Sequence, residues 1–239
     1  VRDLKVKYRR SFLGYLWSLL NPLLMMAVMS FVFSYIFRYD IENYPLYLIC
    51  GQTLWGFFNE STNMAMYSVL QNGSLIKKVY IPKFIFPMSR VFSSFVTMSF
   101  SLGAILIVML VTRAPLHWQL LLFPLPLILL LLFAMGVSMV LSSLSVYFRD
   151  VTHLYSVVTL AWMYVTPVFY PVSALPDEVA WVLKLNPMYY YLDNFRQLVL
   201  YGSLPTAKSW CICLLCSGVA LAVGLAVFRK LQRNFILYL

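Results

Sequence analysis

Charge is what this sequence has least of. Only 11% of its 239 residues are Asp, Glu, Lys or Arg, where a soluble domain carries about 25% to wet its surface. With 62% hydrophobic residues and a mean hydropathy of +0.81, the chain cannot clothe a globule in polar side chains. Lipid must be part of its solvent, and runs of about 20 apolar residues are the form that takes. Catalytic signatures are missing too. There is no H-E-x-x-H, no G-x-S-x-G, and no glycine followed by Lys-Ser or Lys-Thr. The two histidines, His117 and His153, are expected at opposite membrane faces and so cannot share a site. Without a phosphate-cradling loop, any ATP and its Mg²⁺ belong on another chain, and no cofactor is expected in this one. Cysteine is equally sparse. Cys211, Cys213 and Cys216 spell C-x-C-x-x-C, but inside an apolar run with no nearby His or carboxylate. They read as small packing residues, with no metal site and no disulfide framework.

What is present is a series of apolar runs. Spans are expected over about 21–37, 44–70, 91–112, 118–148, 151–170 and 210–228 of a single domain, 1–239. The run Asn21 to Phe37 has no small-residue cleavage site after it and reads as a retained span, not a signal peptide. The net charge of +10 does not form one patch, which argues against nucleic acid. Its cations sit at the ends of the runs: 13 Lys and Arg fall on one side of the expected membrane and 5 on the other. The positive-inside rule puts the richer side, with both termini, in the cytoplasm.

Three segments outside the spans are distinctive. In Val1 to Leu20, the residues Leu4, Tyr8, Phe12, Tyr15, Leu16 and Leu19 share one helical face. This predicts an interface helix whose cations, among them Lys5, Arg9 and Arg10, meet anionic headgroups or a partner. Asn21-Pro22 is expected to break it. In the link Gln71 to Arg90, the turn Asn72-Gly73-Ser74 starts a short amphipathic helix, Leu75-Ile76-Lys77-Lys78-Val79-Tyr80, limited by Pro82 and Pro87. A rigid helix of that kind is a docking knob; an ordinary basic loop is the plainer alternative. The link Pro171 to Ser209 is too apolar for a watery loop. Its two short segments, separated by Asn186-Pro187, are expected to be re-entrant helices, with an interfacial aromatic belt as the alternative. The fold class is therefore an all-α polytopic membrane protein with six transmembrane helices, an N-terminal interface helix and short re-entrant helices between the last two spans.

One carboxylate lies within a span: Glu60, beside Ser61, Thr62 and Asn63. Such a group is a candidate for ion coupling. A hydrogen-bonded structural site is the plainer reading, and the sequence favours it because proton-driven carriers usually show more than one such group. Aromatic residues make up 17% of the chain and crowd the stretch holding Tyr155, Trp162, Tyr164, Phe169 and Tyr170. Aromatic faces stack on the C–H faces of sugar rings, so these five are candidates for a glycan channel, with core packing as the alternative for each.

The residues at this point resemble a known family. Arg2-Asp3-Leu4-Lys5-Val6-Lys7-Tyr8-Arg9-Arg10-Ser11, continuing through Leu16-Trp17-Ser18 to Asn21-Pro22, is similar to the start of ABC-2 type permeases that export polysaccharides such as O-antigen, capsule and teichoic acid. Leu75-Ile76-Lys77-Lys78-Val79-Tyr80-Ile81-Pro82 resembles that family's link between its second and third spans. Tyr147-Phe148-Arg149-Asp150 resembles the turn between the fourth and fifth, and Thr166-Pro167-Val168-Phe169-Tyr170-Pro171 and Asn186-Pro187 fit its outer region. The resemblance implies a homodimer in the bacterial cytoplasmic membrane, working with two separate nucleotide-binding subunits on a lipid-linked polysaccharide. It also implies that Leu75 to Tyr80 form the main coupling helix and that Arg149 and Asp150 lie in a second contact. The rival readings are an ABC-2 exporter of a lipid or drug, and an ion-coupled carrier using Glu60.

Overall fold

The structure, a computed structural model, describes residues 16–33, 41, 43–174 and 177–238, without the side chains of 177–180. All regular structure among these residues is helical. In chain order the helices are α1 (Trp17–Val32), α2 (Tyr44–Gln71), α3 (Gly73–Lys78), α4 (Ile85–Val111), α5 (Pro124–Tyr147), α6 (Val151–Val165), α7 (Asp177–Leu185), α8 (Pro187–Val199), α9 (Ala207–Leu231) and α10 (Phe235–Tyr238). A 3₁₀ turn, Trp118–Leu122, leads into α5, and another, Gln232–Asn234, joins α9 to α10. Among the described residues, three helical stretches are long and apolar enough to cross a membrane: Ile85–Val111, Trp118–Tyr147 and Ala207–Tyr238.

Helix α2 sits at the centre, packed against α1, α4 and α5. It has the length to span but carries Gln52, Thr53, Asn59, Glu60 and Asn63, which lipid would not accept. Leu46, Ile49, Leu54, Phe58 and Ala65 of the same helix are wholly covered and Thr53 is buried, while Gln52, Asn59, Glu60 and Asn63 are half-buried. The closest helix pair is α5 with α9. A Cβ at Gly136 would run into the backbone of Ala220, and one at Gly224 into the backbone of Gly136. Without a hydrophobic drive between helices in lipid, such small-residue contact is what brings backbones together.

Proline behaves differently at three expected boundaries. Asn21-Pro22 does not break the chain, because α1 runs through it from Trp17 to Val32. Pro22 has no N–H for the carbonyl of Ser18 one turn back, and the hydroxyl of Ser101 on α4 donates to that carbonyl instead, at 3.0 Å. The start of the expected interface helix, with Lys5, Arg9 and Arg10, lies outside the described residues. Pro87 sits in the first turn of α4, where N–H groups have no helical acceptor to lose, so α4 starts six residues before the expected 91. The helix expected over 151–170 stops at Val165, because Pro167 forces Thr166 into extended geometry (ψ 131°).

The long link beyond α6 folds as two short helices, α7 and α8, meeting at Asn186-Pro187. The Asn186 side chain caps α8 by accepting from the Met188 N–H at 3.0 Å. Helix α8 is embedded: Tyr191, Leu192, Asn194 and Phe195 are all buried, and the Tyr191 hydroxyl reaches the Cys213 carbonyl (3.0 Å) and Ser217 (2.6 Å) of α9.

Candidate functional site

At one end of the bundle, α3 projects as a short knob between α2 and α4. Ile76 is buried against Val69, Val146, Phe228 and Phe235, so it faces the chain's own core. Leu75, Lys77, Lys78, Val79 and Tyr80 are exposed, Tyr80 at 98%. The Asn72 amide does not cap α3. It donates back to the Ser68 carbonyl at 2.7 Å and tightens the turn leaving α2. The C-terminal helix braces the knob from below: Lys83 donates to the Gln232 carbonyl at 2.6 Å and lies over the Phe235 ring. Partial burial there pulls the Lys83 ammonium below its usual range. Tyr147 donates to the Leu231 carbonyl at 2.9 Å from the other side. Arg149 and Asp150 are exposed in the turn between α5 and α6.

Between α1, α2 and α4 lies a cavity of about 480 Å³. Its wall includes the aromatic rings of Trp17, Trp55, Phe57 and Phe169, the polar groups of Asn21, Gln52, Thr53 and Thr97, and Glu60. Glu60 is half-buried there. Next to it on α2, the Asn63 amide donates to the Asn59 side chain at 2.8 Å.

The five candidate aromatics do not share one surface. Tyr155 is buried and donates to Thr62 of α2 at 2.7 Å. Trp162 packs edge-on against Trp55 and Phe58, and its indole N–H donates to Asn186 at 2.8 Å. Phe169 stacks on Phe33 and reaches the cavity. Tyr170 donates to the Tyr164 carbonyl at 2.7 Å, and Tyr164 itself is exposed. Cys213 is buried, Cys211 exposed and Cys216 half-buried along α9. Among the described residues no three His, Cys, Asp or Glu side chains are grouped to hold a metal ion.

The sequence reading gives no role to Arg196, which enters it only as one of the five cations on the cation-poor side. The residue is 4% exposed. Its guanidinium donates to the carbonyls of Tyr47, Pro167 and Val168 at 2.7 to 3.3 Å. It thus fastens α8 to α2 and to the turn that ends α6. Tyr44 and Tyr47 hold the same turn through the carbonyls of Phe169 and Tyr170, at 2.7 and 2.8 Å. The signal was periodic: at helical spacing Arg196 falls between Leu192 and Val199 on the buried stripe of α8.

Among the described residues, three apolar helices of membrane length, two of them packed against a largely buried, polar-studded fourth, define a helical integral membrane protein. Sequence comparison narrows the class: the ABC-2 type transporter family profile matches residues 1–200, and the chain belongs to that family. The O-antigen export system permease protein RfbA of Klebsiella pneumoniae is 32% identical over 98% of this chain and 90% of its own length. The Myxococcus xanthus protein of the same description is 30% identical over 98% of this chain and 91% of its own length. The capsule polysaccharide export inner-membrane protein CtrC of Neisseria meningitidis serogroup A is 23% identical over 98% of the chain and 89% of its own length.

Proposed function

We propose that this chain is the permease subunit of an ATP-driven exporter that carries a lipid-linked polysaccharide across the bacterial cytoplasmic membrane. The observation that carries this reading is similarity along nearly the whole chain to O-antigen export permeases, at 30% to 32% identity. Family membership also sets the ion-coupled carrier aside.

Two copies work with two nucleotide-binding subunits, which hold the ATP and Mg²⁺. The exposed knob with Tyr80 at its tip supports docking there, with Arg149 and Asp150 in a second contact. Closure of the ATPase subunits pushes on the knob, which is held between α2 and α4 and cannot yield alone. The movement parts the two copies, and the glycan passes between them.

Six spans, α1, α2, α4, α5, α6 and α9, put both termini in the cytoplasm, in keeping with the distribution of Lys and Arg. Fifteen residues give α6 a length of about 22 Å, short of the roughly 30 Å hydrocarbon core. Its buried residues are only Tyr155 and Thr159, while Leu154, Val157, Val158 and Tyr164 are exposed. A short span with a bare apolar face supports a second copy against it, and the embedding of α8 supports re-entrance of α7 and α8.

The test is deletion of the gene in its host. Surface glycan is expected to vanish while lipid-linked glycan accumulates inside, with recovery on complementation. Unchanged surface glycan would remove the reading.

A further inference from the structure

Resting on the topology proposed above, we infer that the groove between α5 and α9 is a binding site for an anionic phospholipid of the inner leaflet. The groove holds about 430 Å³. Phe133, Val137 and Leu141 of α5 form one wall, and Leu215, Val219 and Val223 of α9 form the other. The three α9 residues are exposed, so the groove opens on the outside of the bundle. Its floor is the place where the two backbones touch, Gly136 against Ala220. Among the described residues no polar side chain lines it except the Cys216 thiol. Both helices have membrane length, and a slot this apolar at that depth offers water no partner. A hydrocarbon chain fits it.

The inner end of α9 fixes the chemistry of the head. Residues seven apart keep nearly the same helical face, so Leu215, Ala222 and Arg229 form one stripe and Cys216, Val223 and Lys230 the next. Leu215, Cys216 and Val223 line the groove, and Arg229 and Lys230 are exposed cations. At about 1.5 Å per residue, Val223 lies roughly 10 Å and Leu215 roughly 20 Å along the helix from these cations. A leaflet with its headgroups is roughly 20 Å deep, so a lipid whose phosphate meets the cations has its tail at the level of the groove. No Asp or Glu occurs between Ala207 and Tyr238, so α9 carries no acid to neutralise them. The ATPase subunits work in water and cannot enter a slot at this depth. A second copy could enter, but with 8 acidic residues against 18 basic ones it is a poor source of counter-charge for cations it would bury. A zwitterionic lipid brings a cation of its own. An anionic headgroup answers both halves of the site.

The experiment uses the complete exporter, purified in detergent, and native mass spectrometry with two lipids of identical chains, dioleoyl phosphatidylglycerol and dioleoyl phosphatidylcholine. One phosphatidylglycerol per permease copy is expected to stay bound at collision energies that strip phosphatidylcholine. The Arg229→Gln, Lys230→Gln double variant should lower that retention about tenfold or more with the ATPase subunit still bound, and Lys230→Arg should not. Val219→Trp fills the groove from an exposed position that leaves the core alone, and should remove the retained lipid whatever its head. Equal retention of the two lipids, or retention unchanged in Val219→Trp, would overturn the site. Loss of the ATPase subunit from the double variant with its phosphatidylglycerol kept would overturn it too, and make the cations a protein contact. So would displacement of phosphatidylglycerol by glycan-linked lipid, which would place the groove on the transport path. A reporter fused after α10 and found outside the cell would instead overturn the topology beneath the site, and export that does not depend on the gene would overturn the transport reading.

Discussion

The guanidinium of Arg196 lies 3.5 Å from the centre of the Tyr47 ring and also donates to the Tyr47 backbone carbonyl. One side chain on α8 thereby grips α2 by its ring and its backbone, and two further bonds to Pro167 and Val168 tie in the end of α6. Lysine cannot copy this, since it lacks the planar fork that reaches several acceptors at once. Arg196→Lys should therefore destabilise the protein by about 2 kcal/mol, from carbonyls left unmet in a buried site. Gly51→Ala should act in the same direction, because its Cβ would collide with the Arg196 Nη2. Thermal unfolding of both variants in detergent checks this, and wild-type stability in both would refute the pin.

The knob separates two kinds of apolar residue: Ile76 within α3, and Val79 and Tyr80 just past its end at Lys78, two residues short of the helix expected from the sequence. Val79 and Tyr80 are exposed, so Val79→Asp and Tyr80→Asp should abolish co-purification with the ATPase subunit and surface glycan while leaving the fold intact. Ile76 faces Phe228 and Phe235, so Ile76→Asp should instead lower the yield of folded protein. Lys77→Ala should weaken ATPase binding mildly and in a salt-dependent way, as rim charges do. Pull-down with the tagged ATPase, alongside a folding assay, distinguishes the three. If both surface aspartates bind and export normally, the knob is not the contact.

Much of this arrangement was legible from pattern. The bounds of α2, the short α3 and the paired α7 and α8 follow from apolar runs punctuated by Asn-Gly and Asn-Pro. The errors share one cause, which is that local signals cannot see a neighbour. Pro22 reads as a break until the Ser101 hydroxyl takes over the abandoned carbonyl. Arg196 reads as one more cation of the outer link until three carbonyls from two other segments converge on it. The cavity is invisible for the same reason, since Gln52 and Glu60 become its wall only when α1 and α4 close against α2.

The contact between α5 and α9 allows a matched pair of tests. Gly136→Ala drives a Cβ into the Ala220 backbone, which cannot move like a side chain, and should cost about 1 to 3 kcal/mol. Gly218→Ala, on α9 in open space, should be neutral or slightly stabilising, since alanine is the better helix former. Parallel unfolding curves read the difference, and equal stabilities would mean that this close approach is not maintained.

This chain, purified alone, should hydrolyse no ATP. No glycine in the sequence is followed by Lys-Ser or Lys-Thr, so no loop of that type is available to cradle phosphates. Steady hydrolysis from a preparation shown by mass spectrometry to hold no second subunit would contradict the division of labour proposed above.

Glu60 offers the last test, because its position admits two roles with opposite consequences. It sits half-buried on the cavity wall, beside the bonded pair Asn59 and Asn63. A carboxylate that carries protons must change charge during the cycle, and glutamine cannot. One that only shapes a polar wall contributes hydrogen-bonding oxygens, and glutamine keeps one of them. ATP-driven export needs no proton from this residue, so Glu60→Gln should retain most glycan export at any imposed proton gradient. Glu60→Ala, which removes the polar group altogether, should export less than Glu60→Gln. The measurement is surface glycan in cells with and without a protonophore, at matched ATP levels. Export that follows the gradient in the wild type and is lost in Glu60→Gln would give the residue a coupling role after all.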